Sequence, residues 1–204
     1  MRAAGPVALE RGNLMDQIGS DITGGVLAPG KDVIGVLLEQ HERIRELFAV
    51  VQKSTGDDKQ QAFNQLRALL AAHEAGEEIV LRPVSRKVAG QNVAQALNNE
   101  EAEATKVLED LENLDTTSTE FDEKLAAFAQ AVSDHAEHEE REEFPAIRAE
   151  CSTQQLQEMA ERLMTAEKLV PTHAHPMLPG STAAQWAPIP FAHHLDRARD
   201  AYKN

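Results

Sequence analysis

Two stretches, HEAGEEIVLRP at residues 73–83 and HAEHEEREEFP at residues 135–145, carry one pattern at identical offsets: His73 and His135, Glu77 and Glu139, Pro83 and Pro145. Positions i and i+4 share a face of a helix, so each stretch sets an imidazole beside a carboxylate, with a proline further on. One such pair is half of a mixed nitrogen–oxygen metal site, and two copies on two helices supply a whole one. The duplication predicts a metal-binding helical bundle.

The sequence around these stretches has helical apolar spacing. Asp32 is a plausible N-cap for a first helix whose stripe is Ile34, Leu37, Leu38, Ile44, Phe48 and Val51. STGDD ends it near Ser54, and a second helix starts near Asp57 or Asp58 with Phe63, Leu66, Leu69, Leu70 and Val80 on one face, until Pro83 kinks or ends it. A third helix over about 91–114 turns Leu97, Leu108 and Leu111 inward, and after the DTTST turn a fourth runs from about Glu120 to Arg148. A shorter fifth helix spans Thr153 to Leu169. The expected fold is all-α: an antiparallel four-helix bundle over residues 31–150, an N-terminal extension over 1–30, and the fifth helix with a Pro- and His-containing tail over 151–204.

Helical spacing also says which polar residues face the core. His41 lies one turn after Leu37 and two before Phe48, His73 follows Leu69 and Leu70, and His135 follows Phe128 and Val132. Glu77 and Glu139 continue the faces of His73 and His135. On the third helix Glu100 and Glu101 fall near the apolar stripe, one turn after Ala96 and Leu97, whereas Glu103 points away from it. Burying one unpaired carboxylate costs on the order of several kcal/mol, and a cation shared by all of these groups removes that penalty at once. The competing reading, that each His is an ordinary satisfied core residue, holds for any one of them but poorly for the matched set.

Composition narrows the function. The 204 residues include 34 acidic against 20 basic side chains, a net charge of −14. That sign disfavours nucleic acid and anionic membrane surfaces as partners. Cys151 is the sole cysteine, which excludes an internal disulfide and a Cys-rich zinc module. No continuous apolar run stands in residues 1–30, so neither a signal peptide nor a spanning helix is expected and the default location is cytoplasmic.

With His41 in LLEQHERIRELF, then His-x3-Glu before a proline, then HAEHEEREEFP, the chain resembles the hemerythrin-like proteins with an HHE cation-binding domain, over roughly residues 31–150. The resemblance implies an antiparallel four-helix bundle around a non-haem di-iron centre. His41, His73 and His135 would be terminal ligands, and Glu77 and Glu139 bridging carboxylates. Aligning the leucines of NNEEAEATKVLEDLE with the family's EEH-type segment puts Glu101 at the His position, with Glu100 the alternative one residue away. This chain departs from the oxygen carriers in lacking His on that helix and in ending on Glu139 at i+4 instead of an Asp at i+5. Carboxylate in place of imidazole favours the higher iron charge state.

Two Fe ions suit such a mixed set, with Mn a poorer second, and Zn or iron–sulfur sites are disfavoured. The expected activity is handling of O2, H2O2 or NO in a redox or oxidative-stress response, with catalase-like turnover as one form. Alternatives are an iron- or redox-sensing module without turnover and a metal-free interaction bundle. His138, one turn from Asp134 and Glu142, is either a residue that orients His135 or Glu139, or a surface His. His173 and His175 in THAHP are either an extra imidazole pair or plain tail.

Overall fold

The computed structural model describes residues 31–169, all of whose regular structure is helical. The N-terminal extension and the tail with His173 and His175 lie outside the described residues. Helix α1 (Val33–Lys53) is capped by Asp32, whose carboxylate accepts from the Gly35 amide at 2.7 Å, and a two-residue connection leads to α2 (Gly56–Val80). Two short helices carry the prolines in their first turns, α3 (Arg82–Val88) and α6 (Phe144–Glu150). Between them lie α4 (Gln91–Glu112) and α5 (Thr119–His138), and α7 (Thr153–Leu169) completes the described chain. Ser118 caps α5 by accepting from the Phe121 amide at 3.1 Å. Gly90 separates α3 from α4 at φ +95°, a conformation strained for any residue with a Cβ.

Long helices α1, α2, α4 and α5 form the all-α antiparallel bundle expected from the sequence. Both His–Glu–Pro stretches break where their prolines remove a backbone donor. After α2, Leu81 keeps helical angles and donates to the Glu77 carbonyl at 2.8 Å before α3 restarts with Pro83 in its first turn. Ahead of Pro145 the response differs: Glu139–Glu143 is a π-helical turn closed by the Phe144 amide on the Glu139 carbonyl. The fourth helix is therefore not one continuous α-helix to Arg148, because Pro145 cannot donate to the residue four before it and the ladder widens upstream.

Helix α7 does more than extend the chain. Leu156, Met159, Ala160 and Leu163 pack with Val33, Ile34, Leu37, Val80, Leu81, Phe144 and Ile147 in one buried cluster. A second cluster around Phe48, Phe63, Leu66, Leu70, Phe121 and Phe128 fills the other end of the bundle. Because α2 packs against α7 as well as α1, it is buried almost all round from Ala62 to Ala71, which explains its weak amphipathicity. Between the two apolar clusters lies a layer of polar side chains, one or more from each bundle helix. Leu38, expected in the α1 stripe, is instead exposed.

Candidate metal centre

The polar layer is built by interruptions of otherwise apolar stripes. Leu37 and Ile44 flank His41 on α1, Leu70 and Val80 flank His73 and Glu77 on α2, and Leu97 and Leu108 flank Glu101 on α4. On α5 and its π turn His135 and Glu139 stand between Phe128 and Phe144. All six are buried, and Glu77 and Glu139 are wholly inaccessible at 0% exposure. Phe144 stacks on His41 with ring centroids 5.6 Å apart, and His41 meets His73 edge-on at 4.9 Å.

Ligand-type atoms of His41, His73, Glu77 and Glu139 lie within 4.8 Å of one another, and so do those of Glu74, Glu77, Glu101 and His135. Glu77 belongs to both groups. Glu139 spans them, with Oε2 3.4 Å from His41 Nε2 and Oε1 3.3 Å from His135 Nε2. The six residues expected from the sequence thus come together, and Glu74 joins them. Its signal was present in the sequence, since Glu74 and Glu77 are three apart on one face. Glu100 does not enter the cluster.

Each imidazole is held from behind. His41 Nδ1 donates to Glu140 at 2.8 Å, His73 Nδ1 to the Gln40 side-chain oxygen at 2.9 Å, and His135 Nδ1 to Glu100 at 2.9 Å. Carboxylate and amide oxygens only accept, so these bonds place the proton on Nδ1 and turn Nε2 toward the cluster. His138 is not a plain surface residue: its Nδ1 donates to the other oxygen of Glu100, also at 2.9 Å.

Charge dominates the interior. Five buried carboxylates (Glu74, Glu77, Glu101, Glu139 and Glu143) face one guanidinium, that of Arg82, which is itself fully buried. Arg82 pairs with Glu143 at 2.6 Å, with Glu139 at 2.8 Å and with Glu101, and lies 3.7 Å from Glu77. Burial, reinforced by Glu101, pushes the Glu74 carboxyl up to about 8. Burial and then the Glu139 charge push Glu77 well above the usual carboxylate range. Burial opposes ionisation of Glu139 too, but the His135 imidazole beside it holds that carboxyl well below the usual range. His135 moves oppositely: burial works against its charge, yet Glu139 and Glu100 raise it well above an ordinary imidazole.

The residues present fit metal ions. Glu74 Oε2, both oxygens of Glu77, Glu139 Oε2, His41 Nε2 and His135 Nε2 are buried with no hydrogen-bond partner, though all lie in the same layer. A buried acceptor left unsatisfied costs about 1–3 kcal/mol, more when charged, and six in one place call for a shared cation. With all five carboxylates deprotonated, as metal ligation requires, one guanidinium would leave four negative charges, those that two divalent cations offset. The donors are imidazole nitrogen and carboxylate oxygen without thiolate, the set that suits iron or manganese.

Known proteins place the chain in the same context. DNA nickase of Nostoc sp. (strain PCC 7120) is 30% identical over 154 residues, 75% of this chain but 44% of the nickase, so the chain spans less than half of that relative. An uncharacterized hemerythrin-like protein of Schizosaccharomyces pombe is 24% identical over 168 residues, covering 80% of this chain and 83% of the yeast protein. A crystal structure of a Hemerythrin HHE cation binding domain-containing protein from Mycobacterium kansasii shares the fold, with a TM-score of 0.62 at 19% identity over 68% of this chain and 86% of that one. The profile of the Hemerythrin HHE cation binding domain matches residues 32–147, which run from the cap of α1 into α6 and include every side chain of the buried cluster. With that match over more than half of its length, the chain belongs to the hemerythrin family of HHE cation-binding proteins.

Proposed function

We propose that the chain is a non-haem di-iron protein that handles O2, H2O2 or NO. The supporting observation is the set of three imidazoles tied outward through Nδ1 and turned inward through Nε2 upon two shared carboxylates, Glu77 and Glu139. His41 and His73 serve one iron and His135, Glu74 and Glu101 the other. Two iron ions held there supply reversible redox chemistry toward a small molecule. The protein's own part is to fix the tautomers, to keep the carboxylates dry, and to admit only small molecules.

A cavity of about 20 Å³ supports that last role. Ile44, Phe48, Leu70 and Val132 wall it, and His41, His73 and His135 form its polar floor. It is of a size for a two-heavy-atom molecule or a water and too small for a bulky organic substrate. The oxygen-rich donor set around Glu74 and Glu101 favours oxidised iron over reversible oxygen carriage, so peroxide or redox turnover is the preferred activity. Action on DNA is not part of this reading, because a net charge of −14 opposes approach to a phosphate backbone.

Metal analysis and a visible spectrum of protein purified without added metal test the proposal. Two irons per chain with charge-transfer bands, followed by consumption of H2O2, are expected. Iron-dependent protection from proteolysis without turnover would favour the sensing module instead. Failure to take up ferrous iron anaerobically would overturn both.

A further inference from the structure

Arg82 occupies an unusual place: a guanidinium at 0% exposure, inside the carboxylate layer, on the residue just before Pro83. The repeat of the pattern has Phe144 at the matching position, where an apolar ring stacks on His41. The two halves of the centre therefore differ in one respect: one has an aromatic ring behind it and the other a fixed positive charge.

The contacts of Arg82 are unequal. Nη2 pairs with Glu101 and with Glu139 Oε1 at 2.8 Å, and it stands 3.7 Å from Glu77 Oε2. These are oxygens of the second group of candidate ligands and of the carboxylate that spans both groups. Nη1 binds Glu143 Oε1 at 2.6 Å, and Glu143 belongs to neither ligand group. Glu143 Oε2 has no partner, so Glu143 can accept a second bond from the same guanidinium. In the first group, His41 and His73 make no hydrogen bond to Arg82, which reaches that group only through the two shared carboxylates, Glu77 and Glu139.

We infer that Arg82 is a built-in cation that stands in for the second metal ion and makes the two subsites load in order. This inference rests on the di-iron reading above. A cation entering among His41, His73, Glu77 and Glu139 meets two imidazole nitrogens and Glu139 Oε2, none of them hydrogen-bonded to Arg82, and of that group's carboxylate oxygens only Glu139 Oε1 is held by the guanidinium. One entering among Glu74, Glu77, Glu101 and His135 must take Glu101 and the Oε1 side of Glu139 from Arg82, and it is repelled by the guanidinium at short range. As it enters, Arg82 turns wholly onto Glu143, whose free oxygen receives it. Arg82 is thus a positioning residue that holds the layer together before metal arrives and lowers the affinity of the second site. Glu143 is the counter-ion that lets it move aside.

The test is anaerobic calorimetric titration of the metal-free full chain with Fe2+. The wild type is expected to bind in two steps, the second weaker by roughly tenfold or more, the scale on which groups behind a metal ligand act. Arg82→Gln should tighten the second step and leave the first nearly unchanged. If that variant does not fold without metal, Glu143→Gln carries the test, because it strands Arg82 on Glu101 and Glu139 and should weaken the second step alone. Two equal steps in the wild type, or a second step indifferent to a folded variant, would overturn the inference while leaving the di-iron reading intact. No binding at all would overturn the di-iron reading itself.

Discussion

Glu100 accepts the Nδ1 hydrogen of His135 at 2.9 Å from a partly exposed position, while its neighbour Glu101 turns into the buried layer. Adjacent helical residues diverge by about a quarter turn, so the pair serves both sides of one imidazole: Glu100 orients it and Glu101 joins it at the centre. Hydrogen bonds from His135 and then from His138 hold Glu100 below the usual carboxylate range, though burial opposes this. It is therefore ionised, and so the better acceptor, at neutral pH.

Glu100→Ala should reduce metal affinity by about 10–100-fold without abolishing it, the usual effect of removing the partner behind a ligating imidazole. Glu101→Ala should cost the second metal outright. Equal metal-to-protein ratios for the two variants by elemental analysis would contradict this division of roles.

Glu77 is shared by both ligand groups and Glu139 reaches an imidazole of each. Glu77→Gln and Glu139→Gln are each expected to eliminate the charge-transfer bands of the iron-loaded protein and to leave at most one iron bound. His138→Ala, which removes a partner of Glu100 and of Glu142 but no residue of either ligand group, should retain both ions and the bands. A visible spectrum and iron assay on the three variants distinguish these outcomes.

Much of this arrangement is legible in the sequence because helical spacing ties each polar residue to apolar neighbours whose burial is certain. His41 shares its face with Leu37 and Ile44, and Glu101 shares its face with Leu97 and Leu108. Residues whose burial depends on another part of the chain are not legible in that way. Glu74 sits three residues before Glu77, off the centre of the α2 stripe, and its burial comes from Glu101 of α4 and His135 of α5, which pack over it. Arg82 reads as a surface cation before a proline, and the carboxylates that allow its burial come from α2, α4 and the π turn. The π turn itself reflects a choice between two ways of losing the Pro145 donor. The same loss at Pro83 is met by a one-residue interruption at Leu81, without a π turn, so the local sequence pattern does not decide between them.

The apolar walls of the small cavity permit a test of access apart from metal binding. Val132→Phe adds bulk beside His135 in a space of about 20 Å³. It should destabilise the protein by about 1–3 kcal/mol, the usual effect of overpacking. Iron content should be unchanged and the rate of reaction with H2O2 or NO reduced. Stopped-flow rates equal to those of the wild type would show that small molecules reach the centre by another route.

Helix α7 contributes to the core beside the site, since Leu163 is fully buried against residues of α1, α2 and α6. Leu163→Ala should lower stability by about 2–5 kcal/mol, as large-to-small changes in a packed core do. An exposed fifth helix would lose almost nothing. Denaturant unfolding of the full chain decides between the two, with an unchanged slope excluding a change in the unfolded state.

Acidity should control both stability and metal uptake through Glu74. Its carboxyl titrates near 8 in the folded metal-free chain against an ordinary value of 4.5, chiefly because it is buried and then because Glu101 is close. Between those values the folded state retains a proton that the unfolded state has released. The contribution of Glu74 to the stability of the metal-free protein therefore falls as pH rises across that window and levels off above it. Metal binding has the opposite trend: a cation must displace the Glu74 proton, so affinity at the second site should rise with pH up to about 8 and then flatten. Glu74→Gln has no such proton to lose. It should remove the part of the rise that belongs to Glu74 while weakening the second site, and it should release fewer protons on metal addition in weakly buffered solution. Proton release identical to that of the wild type would mean that Glu74 does not join the metal.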